Sequence, residues 1–361
     1  MSFRISGNSF DAIYREILSR ISADWDYQAS PRGKPVRECI AAGFTLTNPR
    51  NRLVMSPARK MNYGFAVGEL CWYLRGDDDL DTMLYYNKRM SQFSDDNKTI
   101  NSAYGARMFN ECAIADSQFD TCILELLKDP DSRRAVMHIN KSSDLIRAVS
   151  PSGSKDVPCT MSVQLLIRDR LLHMHVLMRS NDIIWGMPYD VFSFTCLQEA
   201  FMLMMKDAGV QVDDIGYYHH TAGSLHLYGD HYSLAEEVAR EEMEPPAQME
   251  PFTLDEIGWL AQPVEKSIRQ GKAMDGLRGE PSSSSILWMI DMLTEHRKKR
   301  DVEENKLKCI DELAQQAQDD GLYDFSKAEI HLKKMTTAEA LDELTRLTEE
   351  FGGYDKEMET K

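Results

Sequence analysis

Cys159 stands in Val157-Pro158-Cys159-Thr160, at the entry to a strand-like run that starts at Ser162. A lone cysteine is usually a small buried hydrophobe. It becomes a nucleophile when something stabilises its thiolate, and nearby cations do this best. Arginines are available. Arg133-Arg134 follow Asp129-Pro-Asp-Ser, and Arg179 with Ser180 opens the segment Arg179-Ser-Asn-Asp-Ile-Ile-Trp-Gly-Met-Pro-Tyr-Asp190. Two acids, a Trp, a Gly and a Pro between a strand and an apolar helix have the make-up of a binding loop. Glu69 is a second oddity, set among apolar neighbours in Phe65-Ala-Val-Gly-Glu-Leu-Cys-Trp-Tyr-Leu. A carboxylate there lies either on the one exposed stripe of a helix or in a site that raises its pKa. His219, His220 and His226 have no acidic partners at metal-ligand spacing, so no metal site is read.

These residues need elements to hold them. Apolar periodicity predicts helices over Ser9 to Arg20 and Phe65 to Leu74, the second stopping at Gly76, and a long Met- and Phe-rich helix over Val191 to Lys206. Strand signals cover Ala42 to Thr47, Ala135 to Ile139, and Ser162 to Ile167. A hairpin through Asp169-Arg170 leads to Leu171 to Met178. Ser30 to Pro35 reads as a loop.

The chain has 361 residues with 42 Lys+Arg against 58 Asp+Glu, a formal net charge of −16. That balance argues against direct nucleic-acid binding, which needs a positive field. No apolar run reaches membrane-spanning length, and seven cysteines without a CxxC pair argue against a disulfide scaffold, so a cytoplasmic protein is expected. Composition changes near residue 265. The expectation is a catalytic domain over 1–265, a linker or exposed loop over 266–285, and a helical C-terminal extension over 286–361. The extension's stripe of Leu341, Leu344, Leu347 and Phe351 would pack on the core or dock a protein partner.

Several motifs, in one order, resemble those of the thymidylate synthase family. They are Gly68-Glu-Leu-Cys-Trp-Tyr-Leu-Arg-Gly-Asp77, Ala103-Tyr-Gly-Ala-Arg107, Asp129-Pro-Asp-Ser-Arg-Arg134, Pro158-Cys159, Gln164, Arg179-Ser-Asn-Asp182, Gly186-Met-Pro-Tyr-Asp190 and His226-Leu-Tyr228. The likeness covers roughly residues 9–255. It implies an α/β (α+β) fold, a mixed sheet with flanking helices. It also implies one-carbon transfer from 5,10-methylenetetrahydrofolate, used as co-substrate without a metal, to a pyrimidine nucleoside monophosphate. By this resemblance Cys159 adds to ring carbon 6, Glu69 moves protons at the base through ordered water, and Tyr104 assists removal of the carbon 5 proton. Arg32, Arg179 and Ser180 hold the 5′-phosphate, with Arg133 and Arg134 donated across a homodimer interface. The positive cluster would also favour the thiolate. Gln164 contributes to substrate binding, and His226 and Tyr228 bind the sugar hydroxyl. Asp182 faces the pterin, with Trp185, Gly186 and Tyr189 beside the folate.

The departures from the family pattern give the finer expectation. Asp190 stands where thymidylate synthases carry Asn, as it does in the similar bacteriophage deoxycytidylate (dCMP) hydroxymethylases. A carboxyl group suits cytosine, whose amino group donates and whose ring nitrogen 3 accepts. Met90-Ser-Gln-Phe-Ser-Asp-Asp has no Trp where the family has two, and Thr160 replaces its His. A less shielded exocyclic methylene would be captured by water, although Phe93 or Trp185 are alternative shields. The expected product is therefore 5-hydroxymethyl-dCMP. The alternatives are a deoxyuridylate (dUMP) hydroxymethylase, a thymidylate synthase, a dCMP methyltransferase, or a nucleotide-binding regulator without catalysis.

Overall fold

Period-two apolar patterning builds the centre of the molecule. In the computed structural model, which describes residues 3–110, 117–242, 246–272, 283–319 and scattered positions from 332 to 346, eighteen regular elements are assigned. They run β1 (Arg4–Gly7), α1 (Phe10–Ala23), β2 (Tyr27–Ala29), β3 (Val36–Leu46), α2 (Tyr63–Leu74), α3 (Leu80–Tyr86), α4 (Tyr104–Phe109), α5 (Gln118–Lys128) and β4 (Val136–His138). Then follow α6 (Ser142–Val149), β5 (Thr160–Arg168), β6 (Leu171–Asp182), α7 (Met187–Asp207), β7 (Asp214–Tyr228), α8 (Tyr232–Arg240), α9 (Leu254–Leu260), α10 (Val264–Arg269) and α11 (Ser284–Asp319).

The strands form one mixed sheet in the order β1-β3-β7-β6-β5-β4, with β2 also paired to β3. The β5–β6 hairpin turns where expected. Asp169 and Arg170 both have positive φ, 51° and 60°, the backbone twist that a two-residue hairpin demands. β6 runs parallel to β7, and β7 antiparallel to β3 over nearly all of β3. That pairing carries β3 back to Val36, well before the start expected at Ala42. β7 itself is hidden in the sequence because its inward positions include Tyr218, His220 and Ala222 rather than a run of aliphatics.

α7 packs on β6, β7 and α2, and its Val191, Phe192, Phe194, Leu197 and Phe201 are buried. It starts at Met187, one turn before the expected Val191. Pro188 suits a first helical turn, where no N–H is needed, and this puts Asp190 inside that turn. α4 meets α2 closely: a Cβ on Gly105 would sit 2.3 Å from the Tyr73 carbonyl oxygen, so the side-chain-free residue in Ala-Tyr-Gly-Ala-Arg is a packing requirement.

The chain divides into two compact units, Met1–Leu293 and Thr294–Lys361. In the first, residues 266–269 close α10 instead of opening a linker, because Val264 and Ile268 are buried. Residues 273–282 lie outside the described residues. The start of α11 also belongs to this unit: Ile286, Met289 and Leu293 are buried, and Trp288 meets the rings of Tyr63 and Phe192 edge-on or tilted, 5.1 and 6.3 Å away. The second unit contains the charged remainder of α11, with ion pairs such as Arg300–Glu304 and a buried Lys306 that donates to the Met335 carbonyl. The leucine stripe expected at 341, 344, 347 and 351 lies outside the described residues. Among the described residues no helix is long and apolar enough to cross a membrane.

Candidate active site

The nucleophile candidate sits where β5 begins, half-buried. Arg179, across the hairpin on β6, donates its backbone N–H to the Cys159 carbonyl (2.8 Å), and its Nη2 lies 3.7 Å from Cys159 Sγ. The guanidinium is held in place by the carbonyls of Pro158 (2.9 Å) and Val157 (3.0 Å). Burial pushes the Cys159 thiol up. Arg179 and Arg32 pull it down, and the carboxyls of Asp190 and Asp182 push it up again. The two arginines act on the thiolate in the expected direction, against the larger effect of burial. Arg32 reaches this neighbourhood from the 3-10 turn Pro31–Gly33, where its own φ is +54°.

Two carboxyl groups act on one another here, Glu69 and Asp190, and Asp190 also acts on the thiol. Glu69, one helical turn before Tyr73 on α2, has its pKa raised to about 8, first by burial and then by Asp190; hydrogen bonds from Tyr73 and Ser193 offset this in part. By accessible surface Glu69 is half-buried, not on a fully exposed stripe. Asp190 is raised to about 7, mainly by burial, with the Asn181 amide opposing at 2.7 Å from Oδ2 and Asp182 adding to the rise. Ser193 lies one turn after Asp190 on α7, so the spacing of a single helix faces both toward Glu69. Both acids are thus poised to exchange protons near neutral pH, as general acid–base work requires.

Tyr104 opens α4 and is clamped between stacked Tyr73 and Phe194, with centroids 5.6 and 6.0 Å away. Its hydroxyl accepts a long bond from the Thr160 N–H (3.4 Å), and burial keeps its pKa well above that of a free tyrosine. Thr160 is fully buried, and its side chain and backbone N–H both act on the Tyr104 hydroxyl.

At the far ends of β6 and β7, Ser180 pairs in register with Ser224 and Asp182 with His226. His226 packs edge-on against Tyr228 (5.1 Å), and burial lowers its pKa while Asp182 raises it. Lys34, which the sequence reading passed over, lies 6.0 Å from the Tyr228 ring centroid. Its place in the loop of Arg32 was the only available signal. Asp182 Oδ1 accepts from the N–H groups of Ile184 and Trp185 (2.8 and 3.0 Å), which ties the turn into α7. Gly186 keeps that turn open: a Cβ there would come within 3.1 to 3.3 Å of the Asp182 carbonyl, Asn181 Nδ2 and Asp190 Oδ2.

Trp185 is 42% exposed, flanked by Arg59 (5.0 Å) and Arg89 (4.6 Å), and its Nε1 meets His231 at 2.9 Å. Tyr189 packs against Phe65 and Arg59. A flat exposed ring between two cations, next to Asp182, is a surface suited to a planar ligand that carries negative charge. Phe93 is also exposed, on the 3-10 segment Lys88–Phe93 that carries Arg89.

Three expected residues lie apart from this cluster within one chain. Gln164 donates to the Arg133 carbonyl (2.9 Å), and exposed Arg134 pairs with Glu125 (2.7 Å) beside β4. Sequence reasoning missed Tyr73, Ser193, Asn181, Tyr218 and His220, whose polar atoms are sealed in by the core. No group of three or more His, Cys, Asp or Glu among the described residues could hold a metal ion.

A family model described as thymidylate synthase matches residues 12–257. The chain is 33% identical over 240 residues to a deoxyuridylate hydroxymethyltransferase of Bacillus phage SP01, covering 64% of this chain and 60% of that protein. It is 32% identical over 207 residues to one of Delftia phage PhiW-14, covering 55% of each. A thymidylate synthase of Corynebacterium aurimucosum is 28% identical over 239 residues, 64% of this chain and 84% of that protein. The chain thus matches the two phage relatives over little more than half their length. Among solved structures, thermostable thymidylate synthase A from Bacillus subtilis shares the fold, with a TM-score of 0.54 at 22% identity over 68% of this chain and 90% of that one. With more than half its length matched by the family model, the chain belongs to the thymidylate synthase family, whose members are one-carbon transferases.

Proposed function

We propose that this protein converts dCMP to 5-hydroxymethyl-dCMP, with Cys159 as nucleophile and Asp190 as the residue that reads the base. The observation that carries it is the placement of Asp190, a carboxyl in the first turn of α7 that accepts from Asn181 on one oxygen and lies near Cys159 and Glu69. Cytosine offers an amino donor and a ring-nitrogen acceptor, and a carboxyl that accepts on one oxygen and shares a proton on the other matches both.

Methylenetetrahydrofolate supplies the one-carbon unit, and Asp182, Trp185, Gly186 and Tyr189 would hold it. Cys159 Sγ forms a bond to ring carbon 6 and makes carbon 5 nucleophilic. Arg32, Arg179 and Ser180, with His226 and Tyr228, hold phosphate and sugar so that carbon 6 meets the sulfur. The phosphate is itself an anion, so it needs Arg179 and Arg32 more than the thiol does. Arg133 and Arg134 complete the phosphate site from a second copy of the chain. Carbon 5 bonds to the folate's one-carbon unit; Glu69 and Tyr104 then take the carbon 5 proton through water, and the bond from that unit to the folate nitrogen breaks, releasing tetrahydrofolate and leaving an exocyclic methylene. Water then adds to the exocyclic methylene, and the thiolate leaves carbon 6.

Mass spectrometry tests this with the purified protein, equal dCMP and dUMP, and methylenetetrahydrofolate. A gain of CH2O on dCMP is expected. A gain of CH2 with dihydrofolate would overturn the capture by water. The names of the two phage relatives favour a second reading, the same gain on dUMP, and that outcome would overturn the role given to Asp190.

A further inference from the structure

Behind Asp190 lies a row of polar side chains that the reaction does not use. Asn181 Nδ2 lies 2.7 Å from Asp190 Oδ2, Asn181 Oδ1 lies 3.0 Å from His220 Nε2, and His220 Nδ1 lies 2.9 Å from the Tyr218 hydroxyl. Asn181, His220 and Tyr218 are 2%, 1% and 0% exposed, so water cannot substitute for any link. Phe44 stacks flat on the imidazole, 5.1 Å away at 12°, and fixes its plane. Gly186 leaves room for the terminal link, because a Cβ there would press on both Asn181 Nδ2 and Asp190 Oδ2.

Such a row has two possible polarities. In one, Tyr218 donates to His220 Nδ1, His220 Nε2–H donates to Asn181 Oδ1, and the Asn181 amide donates to Asp190. In the other every donor reverses. Asp190 Oδ2 would then carry a proton toward Asn181, and the Tyr218 hydroxyl would accept from His220 and be left with its own proton to place. Among the described residues His220 is the one acceptor that Tyr218 has. A buried hydroxyl that cannot donate costs about 1–3 kcal/mol, so the first polarity prevails. Burial also keeps His220 neutral, with its pKa lowered to about 3, so it carries one N–H and cannot donate in both directions.

We propose that Asn181, His220 and Tyr218 are positioning residues for base selection: their one-way hydrogen-bond chain makes Oδ2 of Asp190 a fixed acceptor and confines the exchangeable proton to Oδ1. This rests on the reading that Asp190 contacts the base. Cytosine and uracil differ in which of two adjacent ring positions donates. A carboxyl whose two oxygens are made unequal can match one of them, while a carboxyl free to rotate or to move its proton between oxygens matches both.

The test is binding of dCMP and of dUMP by titration calorimetry to the full-length protein and four variants. Asn181→Leu deletes the link to Asp190, and His220→Phe keeps the stack on Phe44 but removes the donor. Tyr218→Phe removes only the hydroxyl that sets polarity, three side chains from the base. The ratio of the two dissociation constants is expected to fall toward one, by about tenfold for Asn181→Leu and about fivefold for Tyr218→Phe, with His220→Phe between them. Because the readout is a ratio, it holds whichever base the protein prefers. Loss of affinity for both nucleotides in equal proportion, with the ratio kept, would overturn the proposal. Should Asn181→Leu fail to fold, Tyr218→Phe decides alone. Asp190→Ala separates the two claims. If it abolishes the preference while the three relay variants keep it, Asp190 reads the base and the relay is overturned. If it leaves the preference intact, the reading of Asp190 falls and the relay with it.

Discussion

Cys159, Glu69 and Asp190 all have pKa values above their ordinary range, and burial is the leading cause for each. A site of this kind holds protons that a bound ligand can redistribute, which is why the proposed chemistry is placed on these residues rather than on the exposed arginine pairs. Cys159→Ser is expected to abolish turnover, by more than about a thousandfold, while nucleotide binding by calorimetry stays within a few fold of the parent. Normal turnover would remove Cys159 as nucleophile. Asp190→Asn is expected to reverse the preference between cytosine and uracil, read as the ratio of kcat/KM values, because an amide donates from one atom and accepts at the other. The same carboxyls leave a mark on stability. Their folded pKa values lie above the unfolded ones, so the fold binds more protons than the open chain between about pH 4.5 and 8, and stability declines as pH rises through that window. Glu69→Gln is expected to flatten the fall in Tm between pH 6 and 8.5 by a few degrees, about 1–2 kcal/mol.

At the level of elements, the site is made by four contacts: the β5–β6 hairpin, which sets Arg179 against Cys159; α7 on α2, which sets Asp190 and Ser193 against Glu69; α4 on α2; and the ends of β6 and β7. The α4–α2 contact is the tightest. Gly105→Ala would drive a methyl into the Tyr73 backbone, so it is expected to destabilise by about 1–3 kcal/mol and to loosen the stack that clamps Tyr104. Thermal melting and kcat measured together check this, and an unchanged Tm would show that the two helices can part without cost. The start of α11 adds a brace from outside the family match, with Trp288 set against Tyr63 of α2 and Phe192 of α7, the helices that carry Glu69 and Asp190.

For the whole molecule, the separation of Arg133 and Arg134 from Cys159 within one chain is what a site completed by a second copy would show. Cys159→Ser and the double variant Arg133→Ala/Arg134→Ala should each be inactive alone. Mixed under exchange conditions, they should recover about a quarter of the parent activity, because half of the dimers are hybrids and each hybrid has one intact site. No recovery, with hybrids present by mass, would place the whole site in one chain. The acidic total of −16 is compatible with this local use of arginines, since field and pocket act over different distances.

The sequence by itself determined the chemical inventory and most of the frame: the hairpin through Asp169-Arg170, the helix that carries Glu69, the body of α7 from Val191 on, the motif order of the family, and the cysteine in their midst. These follow from local periodicity, turn chemistry and short motifs, which a single segment carries. It did not reveal β7, the early start of α7, the row Tyr218–His220–Asn181, or how strongly burial acts on the thiol. Those depend on burial, on strand register and on which polar atom finds which partner. Segments far apart in the chain set them, and only the tertiary structure brings those segments together.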